Sequence, residues 1–282
     1  MRVVHGGRQE FVVRNNPRGG EFHYKRLIEG VSGSPGNFGL MLSRTFDDFV
    51  SPRHRHNFEQ VRFQIEGVCD FGRDGEMVPG TMGYFPEGVY YGPQSAVAAA
   101  LVLVLQFGGP SGAGYMSEDD LQASVAQLSA SGSFEGGVFH RSSGDGRRNQ
   151  DAYEAAWENF NGRRMEYPPA LYQAPTLVAD DAVGWQPAGL GVGRKSLGRF
   201  EGGTEISRLR LDGGARSEIA GEMIVFVLSG EGAIGAEPIA AESSLYLGKG
   251  ESCALCAGDG LDVLLIGLPT IGARKEVLTH AA

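Results

Sequence analysis

The sequence predicts an all-β protein made of two similar barrels with a helical segment between them. Three observations carry that reading. The 282-residue chain holds 44 glycines, spread through short apolar segments where they serve as turn residues. Its apolar runs are of strand length and rich in β-branched and aromatic side chains. The pattern of runs occurs twice, and two helix-like segments separate the occurrences.

The first set of strands is FGLMLSR (38–44), QVRFQIEG (60–67), GTMGYFP (80–86) and ALVLVLQF (100–107), divided by turns such as RDGE and GPQ. Regular strands joined by glycine-rich turns build a sandwich or a barrel. The stretch SEDDLQASVAQLSA (117–130) then has a serine cap, acids in its first turn, and apolar residues at 121, 125 and 128, which predicts a helix. DAYEAAWENFNGRR (151–164) predicts a second helix that ends near Gly162, with Pro168 and Pro169 beyond it. The second set of strands is ISRLRL (206–211), MIVFVLSG (223–230), SSLYLG (243–248) and LDVLLIGLP (261–269), with turns DGG, GEGAIG and AGDG.

VRFQIEGVCDF lies over IVFVLSGEGAI, and GYFPEG over LYLGKG. Gly67 matches Gly230 at an offset of 163, and Gly88 matches Gly250 at an offset of 162, so one gap suffices. A duplicated small barrel explains this better than one large sheet. The expected division is a first barrel over 1–112, a helical connector over 113–180, and a second barrel over 181–282.

Composition narrows the function classes. A hydrophobic share of 41% and a charged share of 21% suit a globular protein with real cores. A net charge of -9 without a long basic run argues against a nucleic-acid partner. The longest apolar run, VAAALVLVL (97–105), is far short of the roughly 20 residues of a membrane helix, and MRVVHGGRQEF has no signal-peptide core. Three cysteines, an odd number, do not make a disulfide scaffold and fit a reducing cytoplasm. Cys253 and Cys256 form a CxxC, but an odd offset on a strand turns the thiols to opposite faces, so both read as structural. GLGVGRKS (189–196) misses the phosphate-loop spacing and reads as a turn. His140 reads as a loop residue at the surface or in packing, and His5, His23 and His280 lie near the termini without partner motifs.

The informative stretch is SPRHRHNFEQVRFQIEG (51–67), with two of the six histidines one residue apart. Side chains of one parity share a strand face. His54, His56, Gln60, Arg62 and Gln64 form a polar even set, whereas Val61, Phe63 and Ile65 are apolar. The even set is therefore expected to line a barrel interior. In an interior, Arg62 needs a partner: either a ligand carboxylate or phosphate, or an internal ion pair with Glu59, Glu66 or Asp70. Tyr84, Tyr90, Tyr91 and Gln106 are candidates to complete a polar-aromatic mouth, with at most one of the adjacent Tyr90 and Tyr91 inside.

Here the chain resembles the cupin superfamily. Its first motif has a His-x-His pair, a glutamate four residues after the second histidine, then six residues and a glycine. His54, His56 and Gly67 match, while the glutamate position holds Gln60. The second motif, Pro-x-Gly-x-x-His, matches at Pro86 and Gly88 and has Tyr91 at the histidine position. The double occurrence resembles a bicupin, with two jelly-roll barrels. The resemblance implies a divalent metal, Fe, Mn, Ni or Zn, held here by His54, His56, Gln60 and Tyr91. Imidazole is a good neutral ligand for such metals, whereas an amide oxygen is weak and a phenol must lose its proton. Glu59 points away on an unbroken strand, and a β-bulge between 56 and 59 would turn it inward.

In the second barrel the corresponding positions are Ser217, Ile219, Met223 and Cys253, so no metal site is expected there. Its candidate roles are structural support, a dry apolar pocket or dimerisation, which makes a homodimer a candidate assembly. The resemblance implies dioxygenases, isomerases and decarboxylases among the activities. The expected reading is a protein that binds a small polar or acidic molecule in the first barrel. Arg62, Gln64, Tyr84 and Gln106 would contact it, and Arg62 and Tyr91 would be catalytic if it is an enzyme of dioxygenase type. The alternative is a non-catalytic ligand-binding or structural cupin with an eroded metal site.

Overall fold

A computed structural model describes residues 1–18 and 20–269. All eight predicted runs are strands within it. The chain forms two compact units, one holding Phe11–Tyr24 and Glu29–Leu177, the other Met1–Glu10, Lys25–Ile28 and residues 178–269. Two boundaries thus fall elsewhere than expected. The first ten residues belong with the second unit, because β1 (Arg2–His5) pairs with a strand there. The helical segment belongs with the first unit, so it is part of that unit's core and not a free connector. His280 lies outside the described residues.

The first unit runs through β2 (Val12–Asn15), β3 (Glu21–Glu29), β4 (Phe38–Thr45), β5 (Val50–Ser51) and β6 (Glu59–Glu66), then β7 (Cys69–Asp70), β8 (Glu76–Met77), β9 (Thr81–Phe85), β10 (Gln94–Ala96) and β11 (Ala100–Phe107). Helix α1 (Glu118–Leu128), the strands β12 (Gly132–Glu135), β13 (Val138–Arg141) and β14 (Asn149–Asp151), helix α2 (Ala152–Asn161) and β15 (Thr176–Ala179) follow. A seven-stranded sheet has the order β15-β9-β6-β11-β4-β3-β2, and a four-stranded one the order β5-β10-β7-β8. Side chains of both line one cavity, so the smaller sheet faces the larger across it.

Both helices start as their sequences dictate. The Ser117 hydroxyl accepts from the Asp120 amide, and three acids occupy the first turn of α1. Asp151 Oδ1 accepts from the amides of Tyr153 and Glu154, and Gly162 ends α2 in the left-handed region. Apolar faces of α1 and α2 pack with Phe58, Tyr115 and Phe139. The hairpin strands β12 to β14 had no alternating pattern to reveal them. His140 lies on β13, hydrogen-bonded to Asn149.

The second unit adds β16 (Gln186–Gly189), β17 (Val192–Arg199), β18 (Glu205–Asp212), β19 (Arg216–Ala220), β20 (Met223–Ile234), β21 (Glu237–Ala240), β22 (Ser243–Leu247) and β23 (Ser252–Gly267). Its sheet has the order β1-β22-β20-β23-β18-β17-β16, with β19 on β23 and β21 on β20. The core is wholly aliphatic, including Val225, Val227, Leu245, Leu255 and Val263. Ile219 lies within it, and Met223 and Cys253 pack against it.

The repeat shows in backbone conformation. Gly67, Gly88, Gly230 and Gly250 all have positive φ, between 68° and 85°. A Cβ on Gly67 would come within 2.3 Å of the Ala99 carbonyl, and one on Gly230 within 2.1 Å of the Gly260 carbonyl. At Gly250 nothing lies within 4 Å. Gly67→Ala and Gly230→Ala should therefore each cost about 2 kcal/mol or more, and Gly250→Ala only about 1 kcal/mol. Urea midpoints of the three variants check this; equal losses at all three positions would count against it.

Candidate functional site

The site forms where the strand-like segment 54–56 meets Tyr91. The amide of His54 donates to the Tyr91 carbonyl and the amide of Tyr91 to the His54 carbonyl, at 3.1 and 2.9 Å. Gly88, in the Pro-x-Gly motif, donates its amide to the His56 carbonyl at 2.8 Å. These backbone bonds set both imidazoles beside the phenol. Tyr91 is 1% exposed, while its neighbour Tyr90 turns outward at 49%.

The Tyr91 oxygen is the convergence point. His54 Nε2 is 2.9 Å away, His56 Nε2 3.0 Å, Gln60 Nε2 2.9 Å and Arg62 Nη2 3.4 Å. One proton assignment accommodates the contacts of 3.0 Å or less. His54 Nδ1–H donates to the Pro52 carbonyl at 2.6 Å, leaving Nε2 to accept the phenol proton. His56 Nε2–H and the Gln60 amide then donate to the phenol oxygen, and His56 Nδ1 faces Arg18 Nη1 at 3.5 Å. Burial, reinforced by the Arg18 charge, holds both histidines well below their ordinary pKa, so both rings are neutral.

Two arginines flank this centre, and they differ. Arg18 is ion-paired to Asp151 through two nitrogens, at 2.8 and 3.0 Å. Arg62 donates only to neutral groups: Gln60 Oε1 at 3.2 and 2.9 Å, Gln94 Oε1 at 2.8 Å and the Tyr91 oxygen. None of the internal ion pairs envisaged for it forms. Glu59 accepts from the Tyr84 hydroxyl at 2.6 Å, and Asp70 from the Gly72 amide. Among the described residues, Arg62 has no carboxylate partner, although it is buried to 8% exposure. The rings of Phe85 and Phe71, 4.8 and 5.4 Å from its guanidinium carbon, supply part of the compensation.

The cavity beside it has a volume of about 130 Å³. His54, His56, Arg62, Tyr91, Gln94 and Gln106 line it on the polar side. Arg18, Glu118 and Tyr153 line it as well, and none of these three carried a local signal, because each comes from a segment distant in sequence. Two expected contacts do not reach it. Tyr84 is the register partner of Val61, so it lies on the opposite face of β6, bonded to Glu59. Gln64 is fully buried, donates to the Glu66 carbonyl at 2.7 Å, and does not line the cavity. Glu59 does not turn into the cavity: the chain bends at 57–58 rather than running on as a strand, and Glu59 stays bonded to Tyr84 outside the lining.

No protein-family model matches the chain, and no curated protein matches it in sequence. Solved structures do match. A candidate dioxygenase from Nostoc punctiforme aligns at 12% identity and TM-score 0.61, over 96% of this chain and 83% of that one. A Pseudomonas aeruginosa protein described as glyoxylate-induced gives 11% and 0.59, over 94% and 86%. The oxalate decarboxylase of Bacillus subtilis, studied for its Mn(II) centres, gives 11% and 0.56, over 95% and 77%. The likeness is one of fold. It agrees with the cupin resemblance that the sequence carries.

The residues present do not fit a divalent cation. Arg62 holds Gln60 Oε1, so the amide presents its N–H side to the centre and cannot ligate through oxygen. Two guanidiniums lie within 3.5 Å of the Tyr91 oxygen or the His56 ring, and among the described residues no carboxylate joins the group. Such a set of donors and positive charge suits an oxygen acceptor.

The neutral histidines have a pH signature. In the unfolded chain they protonate near pH 6.5, and in the folded chain only well below it. Above about pH 6.5 they leave stability unchanged. Below it the unfolded state binds protons that the folded state refuses, and stability falls by up to about 1.4 kcal/mol per pH unit for each histidine. Urea unfolding between pH 7 and 5 should show this slope, and a His54→Asn/His56→Asn double variant should lose it. A slope unchanged in the double variant would refute the assignment.

Proposed function

We propose that the first barrel binds a small organic acid directly, without a metal, and that Arg62 is the group that holds its carboxylate. The observation behind this is the buried guanidinium whose partners are all neutral. An uncompensated buried charge is costly, and an entering anion would offset that cost. Four of the five N–H groups of Arg62 are engaged, which leaves the second N–H of Nη1, the nitrogen whose other hydrogen meets Gln94. Ser51, the strand partner of Gln94, lines the same cavity with a buried hydroxyl that has no hydrogen-bond partner among the described residues. It is a second donor for a carboxylate oxygen. The fold also houses an oxalate decarboxylase, by its name a protein acting on a small acid. That parallel is one of fold and adds only that such barrels accommodate acids.

Whether turnover follows binding depends on Tyr91, whose hydroxyl lies within the same hydrogen-bonded group and lines the cavity. Dioxygenase-type chemistry would need a metal that this donor set does not suit. Binding without metal is therefore the reading the geometry supports best.

Calorimetric titration of untagged, chelator-treated protein with isovalerate and benzoate tests this. Binding should survive the chelator. Arg62→Gln should weaken it 10-fold to 100-fold, matching the roughly 1.5–3 kcal/mol of a charge-assisted hydrogen bond, with a much smaller change in thermal stability. Binding restored only by added Mn or Fe, or Arg62→Gln protein that binds as well as wild type, would overturn the proposal.

A further inference from the structure

The inner face of the first barrel changes character from strand to strand, and this bears on which acid fits. Register places Arg62 of β6 beside Val104 of β11, and Val104 beside Met41 of β4. One row over, Gln64 meets Val102, and Val102 meets Ser43. The charged and hydrogen-bonding residues Arg62 and Gln60 thus lie on β6, while β11 and β4 turn Val102, Val104 and Met41 inward as one apolar patch bordered by Gln106, Ser43 and Thr45. Met41, Val102 and Val104 form one cluster with Tyr24, and Phe22 packs against it. Phe49, Met116 and Leu121 extend the apolar lining.

The charges are distributed just as unevenly. Arg62 is the lining cation without an acid partner, since Asp151 already neutralises Arg18. The carboxylate among the lining residues is Glu118, the first residue of α1. Its charge opposes a second anion in the same small space.

We infer that the site selects a monocarboxylate with a branched aliphatic or aromatic body and rejects dicarboxylates. The acid group sits over β6 at Arg62, and the body lies over β11 and β4 against Val104, Val102 and Met41. A cavity of about 130 Å³ is slightly smaller than a 150 Å³ cavity that accepts benzene, so the whole acid, carboxylate included, is of roughly that size. The specificity-determining residues are Val104, through apolar contact, and Glu118, through repulsion. This inference rests on the anion-binding reading above.

Affinities of acetate, isovalerate, benzoate, malonate and succinate, measured by calorimetry on wild type, Val104→Thr and Glu118→Gln, test it. Isovalerate should bind at least 10-fold more tightly than both acetate and malonate, the latter having the same number of heavy atoms. Val104→Thr should weaken isovalerate about five-fold and leave acetate unchanged. Glu118→Gln should narrow the gap between isovalerate and malonate about five-fold, with acetate strengthened less than malonate, because the charge removed repels a dianion more than a monoanion. Circular dichroism confirms that both variants fold. Malonate binding as tightly as isovalerate, or a gap that neither variant changes, would overturn the specificity and leave Arg62 as an anion anchor. If no acid binds wild type, both the specificity and the anchor fall together.

Discussion

The buried guanidinium of Arg62 sets the terms for everything around it. A planar fork with five donors must be met in fixed directions. Gln60 turns its carbonyl oxygen to meet it, and in doing so turns its N–H toward Tyr91. Gln94 on the facing sheet supplies a second acceptor. The phenol oxygen is then enclosed by nitrogens, and the two imidazoles, kept neutral by burial, settle on either side of it. On the proposed reading, a centre that would suit a cation with a glutamate at position 60 suits an anion with the amide that stands there. Replacing a carboxylate by its amide at position 60 reverses the sign of the site, because an amide brings hydrogens where a carboxylate brings charge.

The second unit shows what the same strand plan yields when its inward side chains are aliphatic. Val225 and Val227 on β20 are fully buried in a dry core, where Arg62 and its polar neighbours lie on the corresponding strand of the first unit. Such a core gains from close packing and has no polar group to satisfy. The first unit accepts a looser interior and keeps a cavity.

Much of this was legible in the residues. Parity alone put His54, His56, Gln60 and Arg62 on one face, and all four meet at Tyr91. Parity also left Glu59 outside, where it bonds to Tyr84. Tyr84 itself was misplaced, because its face depends on the register between β9 and β6, which is set by pairing and not by its own strand's composition. Arg18, Asp151, Tyr153 and Glu118 were invisible as site residues. Arg18, Tyr153 and Glu118 reach the cavity from a loop before β3, from α2 and from α1, Asp151 pairs with Arg18 from 133 residues away, and no local spacing encodes such contacts. The role of the helices was missed for the same reason. Their apolar faces were evident, but the surface that receives them, around Phe58 and Tyr115, belongs to other parts of the chain.

The alternation along β6 has an evolutionary consequence. Val61 and Phe63 anchor the strand from one side and are almost fully buried, while the side chains between them determine what the barrel interior attracts. Framework and chemistry therefore occupy separate positions of a single eight-residue segment. A lineage can rewrite one set, residue by residue, while the other holds the strand in place. The two units of this chain carry different side chains at such positions, Arg62 and Gln64 in one and the buried Val225 and Val227 in the other, on strands of similar framework.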